Sequence, residues 1–259
     1  RLAQEVKRLG VGIPAGLRRS LALLLYADDI VLVADTQEDL QKMTDSVEKF
    51  CDRWRMEVNA GKTKVMVVGT KEVGEVEIMW KGKALEEVVE YKYLGLLLER
   101  NGWKKQKGKM MRKARRALGL AWNLAIRAGN MSVRGMNNMW TALIRPHLEY
   151  GAEIMNTVGD YKWNEAEALM RKVGRLILKC GRTLPNDAIA AELGWMTMKG
   201  RRQLLRLSYW GKIVTMDKRR WVWKMYEEGR RRLESNARAN TWCSLTRKWM
   251  LELGLGAEW

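Results

Sequence analysis

Two adjacent carboxylates, Asp28 and Asp29, are the residues of this 259-residue chain best placed to do chemistry. They interrupt an otherwise apolar stretch, LALLLYADDIVLVAD, at residues 21–35. Apolar runs as short as 21–27 and 30–34 suit buried strands, and Asp-Asp between them suits the bend of a β-hairpin. Carboxylates on the tip of such a hairpin sit on a stiff scaffold. Their oxygens are the hard ligands that Mg²⁺ prefers. The expected chemistry is therefore that of a divalent cation held at a strand turn.

The surrounding elements follow from periodicity and punctuation. Residues 1–10 read as a short helix closed by Gly10, and 11–19 as a loop or short hairpin. Thr36, with Asp39 three residues on, has capping-box spacing. Leu40, Met43, Val47, Phe50, Cys51 and Trp54 then recur at helical spacing as one apolar stripe, up to a stop at Asn59-Ala60-Gly61. Residues 64–68 read as a strand. Residues 73–80 and 84–91, joined by Lys81-Gly82-Lys83, read as a hairpin, and 91–98 as an apolar strand in which Gly95 marks a bulge. After Gly102 the pattern is helical. Helices are expected over 104–128, from Ser132 to Pro146, over 160–180, from Pro185-Asn186 to Leu193, over 197–215, and in pieces over 219–259 with breaks at Gly229 and Gly254. Strands and one long helix followed by helices alone define an α+β region and then an all-α region.

Several motifs in this order resemble a known family. Tyr26-Ala27-Asp28-Asp29 resembles the catalytic hairpin of a reverse transcriptase, in the form used by non-LTR retrotransposons. Asn59-Ala60-Gly61-Lys62-Thr63-Lys64 resembles the next palm motif, and Tyr91-Lys92-Tyr93-Leu94-Gly95 resembles the primer grip. Residues 144–151 (IRPHLEYG) and 192–195 (ELGW) look like segments found downstream of the palm. The resemblance implies an antiparallel polymerase-type palm, in part, over 1–100, a thumb-like helical segment over 101–158, and a basic helical extension over 159–259. It also implies RNA template, DNA primer and dNTPs as partners and Mg²⁺ as cofactor. Asp28 and Asp29 are then metal ligands and catalytic. Lys62 approaches the nucleotide phosphates and is the candidate proton donor to departing pyrophosphate, with Lys64 as its competitor. Tyr26 and Ala27 lie near the nascent base pair, while Tyr93, Leu94 and Gly95 hold the primer.

The chemistry is incomplete in these residues. Two-metal nucleotidyl transfer places two Mg²⁺ ions about 3.5–4 Å apart, one at the attacking hydroxyl and one at the leaving phosphate. Two aspartates on one turn cannot wrap both ions, and upstream of Asp28 the only acidic residue is Glu5. In the family the first metal-binding aspartate lies on an earlier palm strand. The chain also opens at Arg1 with its first methionine at Met43, so it reads as a piece of something longer, inactive alone.

Composition adds a second partner argument. Residues 1–100 carry 16 Lys/Arg against 17 Asp/Glu, whereas 101–259 carry 32 against 13. The whole excess of +18 lies in the last three-fifths, which points to an anionic partner, nucleic acid first. Eleven of the 13 tryptophans also lie there. Trp122, Trp140 and Trp163 fall on apolar helix faces, while Trp221 and Trp223 beside Arg219-Arg220 are candidates for base stacking. Three scattered cysteines and a single histidine, His147, argue against a disulfide framework or a Cys/His zinc site and suggest a reducing compartment, nucleus or cytoplasm. No apolar run approaches the ~20 residues of a membrane span. Two rivals accompany the polymerase reading: a non-catalytic RNA-binding remnant, and an intron-encoded maturase, which shares the hairpin motif.

Overall fold

A computed structural model describes residues 1–14, 20–69, 74–127, 129, 131–155, 162–235 and 241–259. These fall into two compact units, one of residues 1–102 and 216–235, the other of 103–215 and 236–259. The architecture is mixed helix and strand, with small two-stranded sheets, four of them antiparallel. All described strands lie within residues 13–99.

The first unit opens with α1 (Leu2–Arg8), followed by β1 (Ile13–Pro14) paired with β2 (Ser20–Leu21), and by the hairpin β3 (Leu23–Tyr26) and β4 (Asp29–Leu32). Next comes α2 (Gln37–Trp54). Its first turn is capped by the Thr36 hydroxyl, which accepts from the Asp39 amide at 3.2 Å, as the spacing predicts. Arg55, in the left-handed region at φ 52°, ends it earlier than the expected stop at Asn59-Ala60-Gly61. Val6, Ala22, Met43, Val47, Cys51 and Trp80 form the core, with Leu23, Leu32 and Leu40 packed against them. The amphipathic stripe of α2 therefore seats the base of the β3–β4 hairpin.

The remaining strands are short. β5 (Lys64–Val65) covers only the start of the expected 64–68 strand, and it pairs in parallel with β8 (Glu86–Glu87). β6 (Met79–Trp80) and β7 (Lys83–Ala84) form only the tip of the expected 73–80/84–91 hairpin, on a two-residue turn, Lys81-Gly82, with both residues at positive φ as type I′ geometry requires. Later residues of the expected second arm pair elsewhere, 86–87 with β5 and 90–91 in the next hairpin. Residue 73, where that hairpin's first arm is expected to begin, lies outside the described residues. β9 (Glu90–Tyr93) and β10 (Leu96–Glu99) make a second hairpin where one strand with a bulge was expected. Leu94 and Gly95, at φ 45° and 83°, turn the chain back on itself.

The second unit is helical: α3 (Lys104–Arg127), α4 (Val133–Met139), a π-helical turn at Trp140–Ile144, α5 (Arg145–Glu149), α6 (Lys162–Leu178), α7 (Asn186–Glu192) and α8 (Met198–Thr215). α9 (Trp221–Ser235) belongs to the first unit, and α10 (Trp242–Glu252) to the second. Gly229 lies inside α9 and does not break it, whereas Gly254 follows α10 at φ 73°. The 158/159 boundary, Ala128, and the side chain of Trp163 lie outside the described residues.

Tryptophan supplies much of the second core. Trp140 is buried and stacks on Trp195 at 5.0 Å, and the Trp195 indole donates to Asn137 Oδ1 at 2.7 Å. Gly174 makes room for this junction, because a Cβ there would lie 2.5 Å from Ile189 Cγ2. Arg206, wholly buried, is held between the rings of Trp242 and Trp249 at 5.4 and 5.2 Å and donates to the carbonyls of Met155 and Trp242. Desolvation pushes its pKa down to about 10. Among the described residues no helix is long and apolar enough to cross a membrane.

Candidate active site

The β3–β4 ladder runs Leu23↔Leu32, Leu24↔Val31, Leu25↔Ile30 and Tyr26↔Asp29, which leaves Ala27 and Asp28 as a two-residue loop. Ala27 sits at φ 52°. A side chain in that region costs about 1–2 kcal/mol, a local strain that the ladder must hold. The ladder thus places Asp28 in the turn and Asp29 at the first position of β4, both exposed.

Expected buried arms are instead half-open. Leu23 and Leu32 reach the core, but Leu25 is 52% exposed and Tyr26 62%. Their apolar character reads as burial in sequence, yet β3 and β4 pair only with each other among the described residues, so nothing covers the outer part of the ladder.

The Asn59–Lys64 segment folds into a tight turn. The Asn59 side-chain oxygen accepts from the Lys62 amide at 3.1 Å, and the Thr63 hydroxyl donates to the Asn59 carbonyl at 3.0 Å. The two candidate lysines end in different environments. The Lys64 ammonium pairs with the Glu86 carboxylate at 2.6 Å, while Lys62 is exposed and makes no side-chain hydrogen bond or ion pair among the described residues. Glu86, which carried no sequence signal beyond its charge, separates them.

β9 is tied by a hydrogen bond to the Asn59–Lys64 turn. Residues two apart on a strand face the same side. Tyr91 donates its phenol to the Lys62 carbonyl at 3.3 Å, and Tyr93 lies close enough to Asp29 to feel its charge. Burial first, and the Asp29 carboxylate second, push the Tyr93 phenol above its ordinary range. Leu94 and Gly95 form the adjoining turn. Tyr91 has no separate signal in the sequence beyond its motif, and its hydrogen bond is what couples two of the segments.

The donor set at the tip is all carboxylate oxygen, the chemistry a hard cation such as Mg²⁺ takes. Among the described residues no three acidic, histidine or cysteine side chains come together. Two carboxylates on one turn are therefore a partial set. In the second unit, Glu149 and Leu193 of the 144–151 and 192–195 segments make packing contacts. Glu149 takes both Nε and Nη2 of Arg201 at 2.7 and 3.0 Å, and the Leu193 carbonyl accepts from Asn137 at 3.3 Å. Trp221 and Trp223 have lysines over their rings, Lys224 at 4.8 Å and Lys218 at 5.6 Å.

A two-carboxylate hairpin, a lysine-bearing turn and a tyrosine strand thus lie in one compact unit. Residues 6–98 match the family described as reverse transcriptase (RNA-dependent DNA polymerase). A transposon-derived protein of Caenorhabditis elegans is 25% identical over 230 residues, covering 80% of each chain. The RNA-directed DNA polymerase from mobile element jockey of Drosophila funebris is 25% identical over 161 residues, which is 59% of this chain and 17% of that protein. No solved structure matches.

Proposed function

We propose that this chain is part of a non-LTR retrotransposon reverse transcriptase that adds dNTPs to a DNA primer on an RNA template. In this reading residues 1–100 are the C-terminal part of the palm, 101–158 a thumb-like segment, and 159–259 a basic extension. The observation that carries it is the β3–β4 hairpin that sets Asp28 and Asp29 at an exposed turn, with the Asn59–Lys64 turn tied to β9 by the Tyr91–Lys62 hydrogen bond in the same unit. Asp28 and Asp29 would hold Mg²⁺, which when bound activates the attacking hydroxyl and steadies the leaving phosphate. Lys62 is favoured over Lys64 beside the phosphates, since the ammonium of Lys64 is already engaged with Glu86. A protonated lysine there can donate to departing pyrophosphate. Tyr26 and Ala27 border the nascent pair, and Tyr93, Leu94 and Gly95 support the primer. A further carboxylate from another strand would complete the set for two ions.

Primer extension on an RNA template with Mg²⁺ tests the reading, with residues 1–259 compared against a chain extended upstream through an added acidic strand. Activity only in the longer chain supports a shared site. Activity in neither favours the RNA-binding remnant, the second reading, which the excess of Lys/Arg over residues 101–259 supports. RNA binding by residues 101–259 is expected to weaken with salt, log K against log[salt] falling with a slope of about −0.7 per phosphate contacted on a single strand. A flat dependence contradicts the charge argument.

A further inference from the structure

The C-terminal ends of α3 and α6 leave an open groove between them, of about 390 Å³. That volume lies within the ~300–1,000 Å³ typical of sites for small ligands. Its walls are apolar and polarisable: Trp122 from α3, Met131 before α4, Met136 from α4 and Leu176 from α6. Its charged lining is wholly cationic among the described residues, Arg175 and Lys179. Arg175 is fixed in place, because its Nη2 donates to the Leu184 carbonyl at 3.0 Å and to Asn186 Oδ1 at 2.9 Å. Its Nε is buried without a hydrogen-bond partner. Lys179, exposed in the left-handed region at φ 50°, makes no ion pair among the described residues.

An indole wall beside unpaired positive charge fits a ligand with a flat π-face and an attached anion. Charge complementarity excludes a basic or neutral peptide as the preferred occupant. In the function proposed above, on which this inference rests, the template is the single strand that the protein must hold. We propose that the α3–α6 groove receives an unpaired nucleobase of single-stranded RNA, stacked on Trp122, with its phosphate at Lys179. Aromatic stacking tolerates any base, so the groove holds template without reading its sequence.

Cys180 supplies a built-in reporter. It lines the groove and is half-buried, whereas Cys51 and Cys243 are 1% and 5% exposed. A maleimide should therefore modify Cys180 first in the folded chain. A short single-stranded RNA of alternating A and C is expected to slow that modification severalfold, and duplex RNA of the same sequence much less. Trp122→Ala should weaken RNA affinity about tenfold, with Trp122→Phe recovering part of the loss. Lys179→Glu, at an exposed position, should weaken binding without unfolding the chain. If RNA binds with unchanged affinity to these variants and Cys180 is not protected, the groove proposal falls while the RNA-handling reading stands. Equal protection by polyglutamate also overturns it, since charge alone would then suffice. Failure of the wild-type chain to bind any RNA overturns both.

Discussion

The strand-bearing unit keeps its charged residues of interest outside, whereas the helical unit keeps two of its arginines inside. Asp28, Asp29 and Lys62 stand exposed at turns, each held by backbone: a ladder for the aspartates, an Asn59-centred turn for the lysine. Arg202 and Arg206 lie four residues apart on α8 and are 8% and 0% exposed. Arg206 is stabilised by two indole faces and two carbonyls instead of a carboxylate. The first arrangement leaves charge available to a ligand at some cost in strain. The second uses charge as a packing element, and is unavailable to solvent. Basic composition in the last three-fifths of the chain is therefore not all binding surface.

The sharpest break between the units is functional. In a complete polymerase containing this chain, Asp28→Asn is expected to abolish primer extension and leave primer–template affinity nearly unchanged, as read by extension and anisotropy on one preparation. Extension near the wild-type rate would remove the hairpin from the chemistry. The next effect is one of stability. Arg206→Ala should lower unfolding free energy by about 3–5 kcal/mol, by analogy with breaking a buried charged network, while Arg206→Met recovers much of it. Urea denaturation followed by tryptophan fluorescence measures both; a surface-like loss under 1 kcal/mol for the alanine variant would show that the indole cage carries little.

A smaller loss is expected at Gly174. Its missing Cβ leaves the space that Ile189 and Trp195 fill, so Gly174→Ala should cost about 1–3 kcal/mol through overpacking. Thermal melts of the two proteins would reveal it, and an unchanged midpoint would mean that α6 and α7 yield freely. The smallest effect is electrostatic and lies in the first unit. Burial and Asp29 disfavour the Tyr93 phenolate, so the folded chain holds the neutral phenol to higher pH than the unfolded chain does. Stability from this group is present below about pH 10 and declines as pH rises through the folded pKa. Asp29→Asn should move the Tyr93 titration part of the way back down, leaving the burial contribution. Tyrosinate absorbance in wild-type and Tyr93→Phe chains isolates the signal, and an unmoved titration would separate Tyr93 from Asp29.

Much of the local structure was legible because its causes are local. The Thr36 cap, the Ser132 cap and the Lys81-Gly82 turn each depend on residues within four positions. The helix breaks were less so. Gly229 carries a modest propensity cost, and the turns of α9 around it outweigh that cost. The Leu94-Gly95 turn was misread as a bulge because a leucine at positive φ has no sequence signature. The hairpin arms looked buried because apolar runs record what a strand tolerates. They do not record which neighbour covers it.

For the candidate site, residue order nominates Asp28, Asp29, Lys62 and the Tyr93 strand, since a turn chemistry and a motif are properties of adjacent residues. Sequence also determined the charge asymmetry and the succession of strands and then helices. Only the tertiary structure decided that Lys64 is occupied by Glu86, that Tyr91 reaches the Lys62 carbonyl, that the Asp29 charge acts on Tyr93, and that Arg206 is enclosed by indoles. Each of those joins residues between 22 and 64 positions apart or across separate helices, and such contacts depend on packing in three dimensions, about which periodicity along the chain is silent.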